Sequence, residues 1–528
     1  MAAFAKKLSG MLLAMVCATA AQGLPACDTS GKACLADTLC IADTLCVADT
    51  LCIADTLCVA DTTCRALSGG MPERSILRWR SAGDFMLVNG IFHLTGRYLL
   101  KEGFSKTTMN SIRQNLKSGF IWDDDKFFYN LFGHSFQGGL YFNTARCNGM
   151  SFAQSAPYAL AGALFWEYFG EAEQQSVNDV ITTAMAGTLY GEITYRMSKT
   201  IVNNRERGPK RFLREAVNAV VNPVDGFHRL VSGKAWRVRG TTAEGEEEAP
   251  QENTSCHLEA GVRCLASHSQ SGKRLWQPFL SFAMEYGETT DGERHFHPYD
   301  AFSAEGTFAF GHRQHILSDL SLTGRICSTP ASIGRTTRGE WGFYQFFRYY
   351  DARPPGLTAP TPFPFGETAS FGPGLRLKFL DVAPRLCLEQ SFFARGILLG
   401  TVNSDYYRHL DRSYNMGSGW GVSTDSRMTW RQRGAARLRV HYTHLFTWRG
   451  YETKDMTDIP LSDNHLNVLG DRSNAHLLIV NLQTEAHITR QATLSLGASC
   501  FIRRTHYEYH PDQRAQNYEM RAALAWHF

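Results

Sequence analysis

The sequence predicts a membrane all-β barrel of about twelve antiparallel strands preceded by a mainly α-helical domain, an α+β chain overall. Three observations carry this expectation. In the C-terminal half, apolar and polar residues alternate over segments of roughly ten to sixteen residues, with turn residues between them. The last of these segments carries an apolar stripe ending in Phe528. In the middle of the chain that period of two gives way to apolar stretches with helical spacing.

At the N-terminus, Lys6 and Lys7 precede the apolar run LSGMLLAMVCATAA, which ends in small side chains. That order is a secretory signal peptide over 1–21, with cleavage after Ala20 or Ala21. Leu24 to Cys27 loosely resemble a lipoprotein box, but Pro25 and the gap from the apolar run argue against lipidation. Residues 22–72 hold a low-complexity repeat in which Cys34, Cys40, Cys46, Cys52, Cys58 and Cys64 recur every six residues. An extended chain would line these thiols on one face, whereas a helix would spread them over three directions. A hexapeptide β-helix needs more repeats than are present. The segment is read as disordered, with no catalytic role.

The rest of the chain holds no clean apolar run long enough for a spanning helix. The nearest, Phe152 to Phe169, is broken by Gln154 and Glu167. A net charge of +4 is too small to imply a nucleic-acid partner. Residues 73–240 read as a helical domain: 75–118 with a break at Gly103, then Ser151 to Gly170, Ser176 to Ser198, and Pro209 to Val221 started by proline and stopped by Asn222 and Pro223. Gly187 and Gly191 have the small-xxx-small spacing of close helix packing. Residues 241–253, with Glu246, Glu247 and Glu248, are an acidic linker or loop.

The apolar helices carry an unusual polar set. Glu167 and Glu171 are four apart, which would place them on one helix face, as are Glu192 and Arg196. Ser176 precedes Asp179 at the spacing of a helix cap. His134 and Arg146 lie in the stretch before the first of these helices. Charges in apolar surroundings must be paired or neutralised, so these residues are expected to form a network. His134, Glu167, Glu171 and Asp179 are the candidate catalytic residues; Arg146, Ser176, Glu192 and Arg196 are the candidate binding residues. No metal site and no cofactor are assigned. Asp123 to Asp125 read as a solvated turn rather than a Ca2+ site.

From 254 to 528 the strand pattern takes over. Tyr518, Met520, Ala522, Leu524 and Trp526 alternate with Asn517, Glu519, Arg521, Ala523 and Ala525; Leu438, Val440 and Tyr442 alternate with Arg437, Arg439 and His441. A polar lumen facing one way and lipid the other produces this pattern. An even strand number and alternating short and long connections support closure, since an open sheet edge cannot sit in hydrocarbon. A soluble β-sandwich would have shorter strands.

The segments WDDDKFFYNLFGHSFQGGLYFNTARCNGMSF, FWEYFGE, SVNDVITTAMAGTLYGEITYRMS and NPVDGFHRLVSGK together resemble a family of bacterial outer-membrane proteins that carry a domain of unknown function (family 3943) in front of a β-barrel. The resemblance covers about 118 to 240. Ser135 and Gln175 depart from it, each standing where proline is usual. It implies the outer membrane of a Gram-negative cell envelope, with the helical domain periplasmic or lumenal. It does not imply a reaction. The partners expected are outer-membrane lipids and the barrel assembly machinery.

Three roles fit these residues. The helical domain is a structural lock or plug under or inside the barrel. It is an envelope lipid- or cell-wall-modifying enzyme, with His134 as general base or nucleophile oriented by Glu167, Glu171 or Asp179. Or the barrel is a transport channel. No nucleophile elbow, HExxH or phosphate-cradling loop appears, so whether the chain is an enzyme is left open, as is its oligomeric state.

Overall fold

The computed structural model describes residues 77–122, 125–237, 254–268, 273–311, 316–332, 336–353, 362–383, 386–407, 412–430, 433–452, 467–489 and 492–527. The expected signal peptide, the cysteine repeat, the acidic linker, Asp123, Asp124 and Phe528 lie outside them.

Twelve antiparallel strands close into a barrel: β1 Thr254–Ser267, β2 Arg274–Tyr286, β3 Phe302–Ala309, β4 Leu317–Ser332, β5 Thr337–Tyr350, β6 Phe365–Ala383, β7 Leu386–Asn403, β8 Tyr414–Trp430, β9 Gly434–Phe446, β10 Ser473–His487, β11 Ala492–Tyr507 and β12 Gln513–His527. Every strand pairs with its sequence neighbours, and β12 closes on β1 with His257 opposite His527 and Cys264 opposite Met520. Thr254 and His527 therefore lie at the same end, here the termini end.

The connections at 333–336, 384–385, 431–433 and 488–491 are at the termini end, and the long ones at 351–364, 404–413 and 447–472 are at the far end. The division into short turns and long loops is incomplete. The 287–301 connection is a long one at the termini end, and the short 310–316 turn joins the far end.

Side-chain direction follows from residues that meet across the barrel. Arg427 and Arg437 reach Glu285 on β2, Arg348 on β5 reaches His441 on β9, and Tyr350 on β5 donates to Glu519 on β12. Such pairs join distant strands, so they face the lumen. Residues one position away along each strand face outward. Outward-facing Leu494, Leu496, Met520 and Leu524 on β11 and β12 are 41–65% exposed. Outward Trp341, Trp430 and Trp526 near the termini end, and Trp276 and Phe446 near the far end, are exposed as well. An apolar belt with aromatic rims is what a membrane-spanning barrel presents to lipid.

The lumen has two halves. Toward the far end, Leu265, Tyr350, Ile397, Leu445, Leu477, Ile479 and Phe501 form a buried apolar cluster, with Tyr350 and Phe501 ring centroids 5.1 Å apart. Toward the termini end the same faces carry charge. Arg437 bridges Asp425 (2.6 Å) and Glu305 (3.1 Å) there, while mid-strand Arg395 reaches toward the far end to grip Glu367 with two hydrogen bonds of 2.7 and 2.8 Å. Charges buried in a lumen persist only when paired in this way.

The helical part runs α1 Arg78–Leu94, α2 Met109–Asn115, α3 His134–Arg146, α4 Phe152–Phe165, α5 Val177–Ile181, α6 Gly187–Ile201, α7 Gly208–Val221 and α8 Pro223–Val231. Wide π-helical turns occupy Thr95–Leu100, Tyr129–Gly133, Trp166–Gly170 and Thr182–Ala186, so α5, a π turn and α6 make one long rod. Helix α3, which the strand and helix patterns left unassigned, crosses that rod where a Cβ on Gly187 would lie 2.5 Å from the Gly138 Cα. Gly187 is thus needed for close packing, as its spacing suggested. Helix α8 begins at Pro223 itself, with Asn222 capping it by accepting from the Asp225 N–H; the cap starts a second helix as well as ending the first.

The helices pack against the outside of the barrel, which corrects the expectation of a lock or plug under or inside it. Gln345 donates to the Met185 carbonyl (2.9 Å), Thr182 to Thr368 (3.2 Å), and a Cβ on Gly324 would sit 2.8 Å from Leu189. Each of these strand residues points away from the lumen. Leu320, Leu322, Phe347 and Tyr349, on the same outward faces, are 0–5% exposed. Their counterparts on β11 and β12 are bare, and the difference is the helical cover. The rod runs obliquely from β6 near the far end to Tyr286 near the termini end, where Arg196 lies over the Tyr286 ring. The physical reason for the lumen's exclusion of the helices is occupancy: the strands' own inward side chains take up the lumen apart from a recess of about 290 Å³.

Candidate functional site

Three segments bring His134, Glu167 and Asp179 together. His134 opens α3 directly after one π turn, Glu167 lies inside another, and Asp179 sits in α5 just before a third. One side-chain ligand atom from each lies within 4.8 Å of the others. All three are buried, at 7%, 1% and 1% exposure.

Each is held by a neighbour. His134 Nδ1 meets Thr183 Oγ1 at 3.2 Å, while Nε2 faces Asp179 Oδ1 at 3.4 Å. Asn178 Nδ2 donates to the same Asp179 oxygen (2.9 Å), and the Ser176 N–H donates to Glu167 Oε2 (2.6 Å). Ser176 also caps α5, its hydroxyl accepting from the Asp179 N–H (3.3 Å) and donating to Asn178 (2.8 Å). The cap seen in the sequence therefore fixes the carboxylate's position as well as starting the helix.

Glu171 does not join them. It lies past the end of its π turn in extended backbone, so the four-residue helical spacing to Glu167 does not apply. Its carboxylate accepts from Trp166 Nε1 (2.6 Å). Arg146, Glu192 and Arg196 form a separate group. Fully buried Glu192 accepts from Arg146 Nε (2.8 Å) and Nη2 (3.3 Å) and from Arg196 Nε (2.9 Å), and Arg146 stacks over Tyr195 at 4.3 Å. Of the four candidate binding residues, only Ser176 belongs to the His134 cluster.

Sequence reasoning missed Thr183 and Asn178. Thr183 lies four residues beyond Asp179 along the same rod, so helical spacing was an available signal. It also missed a pair near the termini end: His228 Nε2 with Asp84 (2.7 Å), a carboxylate that also accepts from Asn148 (2.6 Å). Beside it, Lys199 donates to Asp225 (3.0 Å) and Asn218 to the other oxygen of the same carboxylate (2.9 Å). Burial pushes the Asp225 carboxyl up, but Lys199 and Asn218 outweigh it and hold it below its ordinary range.

The charged half of the lumen encloses a recess of about 290 Å³, lined among others by Glu285, Glu305, Arg348, Arg437, Arg439 and His441. It is separate from the His134 cluster, which lies in the helices on the opposite side of the wall.

Residues 119–224 match the model of a domain of unknown function, DUF3943. No curated protein matches the chain. Among solved structures, the NanC porin aligns with 51% of this chain and 98% of its own at 10% identity and a TM-score of 0.24. OmpT of Vibrio cholerae aligns with 52% and 97% at 7% identity and 0.23. The toluene transporter TodX of Pseudomonas putida aligns with 53% and 90% at 9% identity and 0.21. Scores this low carry no argument about function, and the architecture rests on the strands themselves. The chain carries a DUF3943 domain of unknown function at residues 119–224, followed by a closed twelve-stranded β-barrel.

Proposed function

We propose that this protein is a non-conducting outer-membrane barrel of a Gram-negative envelope that serves as a rigid wall on which the helical domain is locked. The outward apolar belt with aromatic rims supports the membrane assignment. The observation that carries the non-conducting reading is the lumen's far half, packed by Leu265, Tyr350, Ile397, Leu445, Leu477, Ile479 and Phe501. A water-filled pore requires a continuous polar path, and this buried apolar cluster interrupts one. The recess beneath it is lined by charge toward the termini end and by Tyr350, Ile479 and Phe501 toward the far end, a pocket rather than a channel.

The role of the helices follows from what they cover. Gln345 is a polar residue on the outward face whose amide N–H would be unsatisfied against lipid, and docking supplies its partner in the Met185 carbonyl; Thr368, which donates to the Leu399 carbonyl (3.4 Å), accepts a second bond from Thr182. The test is planar-bilayer recording on purified, heat-modifiable protein. Absence of stable conductance steps is the expected result. Regular steps from the wild-type protein would remove this reading in favour of a transport channel.

A further inference from the structure

We propose that His134, Glu167 and Asp179 bind a single divalent transition-metal ion, with Zn2+ and Mn2+ as the ions that suit the donor set. One imidazole and two carboxylates make a mixed nitrogen and oxygen site of intermediate hardness. It suits ions that accept both donors, whereas Ca2+ calls for six to eight oxygens.

Four features of this chain point there together. The three ligand atoms converge within 4.8 Å. Ligand atoms around one tetrahedral Zn2+ lie about 3.4 Å apart, so the three close up by as much as roughly 1.4 Å on binding. The ligands come from three different segments, each in or beside a π-helical turn, an irregularity that recurs at functional sites because it redirects a side chain at a cost in regular hydrogen bonding.

Each ligand has an outer partner that fixes its orientation: Thr183 on the far imidazole nitrogen, Asn178 on Asp179, and the Ser176 N–H on Glu167. Finally, two carboxylates at 1% exposure are expensive to keep ionised in an apolar helical bundle, and a divalent ion offsets both charges at once. Three protein ligands leave a coordination position for water.

The test uses the full chain in detergent with its thiols alkylated, so that the cysteine repeat takes up no metal. After chelator treatment it is titrated with Zn2+ or Mn2+, and stoichiometry and X-ray absorption are measured. About one equivalent is expected, with a shell of nitrogen and oxygen at roughly 2.0–2.2 Å and imidazole scattering. Asp179→Asn and Glu167→Gln should abolish uptake while heat-modifiable mobility is kept. Thr183→Val, which removes only the orienting partner of the imidazole, should weaken affinity about 10–100-fold. No uptake by the alkylated wild-type chain, or unchanged affinity in Asp179→Asn and Glu167→Gln, would overturn the proposal. If those two variants fail to fold, the wild-type stoichiometry and the Thr183→Val affinity decide it alone.

Discussion

Gln345, on the outward face of β5 and 2% exposed, donates a hydrogen bond of 2.9 Å to the carbonyl of Met185 in the π turn between α5 and α6. A π turn shifts its backbone hydrogen bonding away from the α pattern, and here the barrel wall supplies a donor to one of its carbonyls. The bond ties barrel and helical domain together across their interface. Gln345→Leu suits a lipid-facing wall and should leave barrel assembly and heat-modifiable mobility intact. It should weaken docking by about 0.5–1.5 kcal/mol, read as faster limited proteolysis of the helical domain. Unchanged cleavage rates would mean that the bond contributes nothing to docking.

The packed half of the lumen makes a second prediction. Replacing both Tyr350 and Phe501, whose rings are 5.1 Å apart, by alanine removes the largest adjoining pair of the cluster. Each truncation should cost about 3–5 kcal/mol, and the cavity left should join the charged recess. Small conductance steps absent from the wild type are the expected result in planar bilayers.

Glu192 holds two guanidiniums from a fully buried position. Glu192→Ala leaves Arg146 and Arg196 without their shared counter-charge and should destabilise the helical domain by roughly 3–5 kcal/mol, read from the denaturant midpoint of the helical circular dichroism signal. The effect should greatly exceed that of Lys210→Ala, which removes a surface ion pair between exposed Lys210 on α7 and Glu206 just before it.

Where α3 crosses the rod, a Cβ on Gly187 would stand 2.5 Å from the Gly138 Cα, and one on Gly138 would stand 1.9 Å from the Thr183 carbonyl oxygen. Backbone cannot yield as a flexible side chain can, so Gly187→Ala should destabilise by about 1–3 kcal/mol. Because Thr183 holds the His134 ring, the same substitution should also disturb the His134 cluster. The measurement is the same denaturant midpoint, together with His134 imidazole chemical shifts.

Asp225 has a lowered proton affinity in the folded chain. Its contribution to stability is therefore present above the unfolded carboxyl pKa of about 4 and is lost as pH falls through the lower folded value. Asp225→Asn should lower the denaturant midpoint at neutral pH, and its difference from wild type should shrink once the medium is acidified below about pH 4. A difference independent of pH would show that shape, not charge, explains the effect.

The strands were legible because lipid and lumen impose a period of two on every one of them. Leu438, Val440 and Tyr442 against Arg437, Arg439 and His441 could be assigned to faces without coordinates. The π turns were not legible, so Glu171 was placed on the face of Glu167 when a change of backbone separates them. Ser176 and Asp179 could be read from cap spacing, and Glu192 with Arg196 from helical spacing, because both are local. The meeting of His134 with Glu167 and Asp179 joins residues 33 and 45 positions apart in the numbering, and no local rule specifies it.

By itself, then, the sequence determined a closed membrane barrel behind a helical domain, since periodicity is a property of the chain. Only the tertiary structure decided where that domain rests. Phe347 and Tyr349 on β5 and Leu494 and Leu496 on β11 belong to the same kind of apolar outward stripe, yet the first pair is buried by helices and the second is bare. An apolar face reads alike whether a helix or lipid covers it, because both satisfy the same exclusion of water.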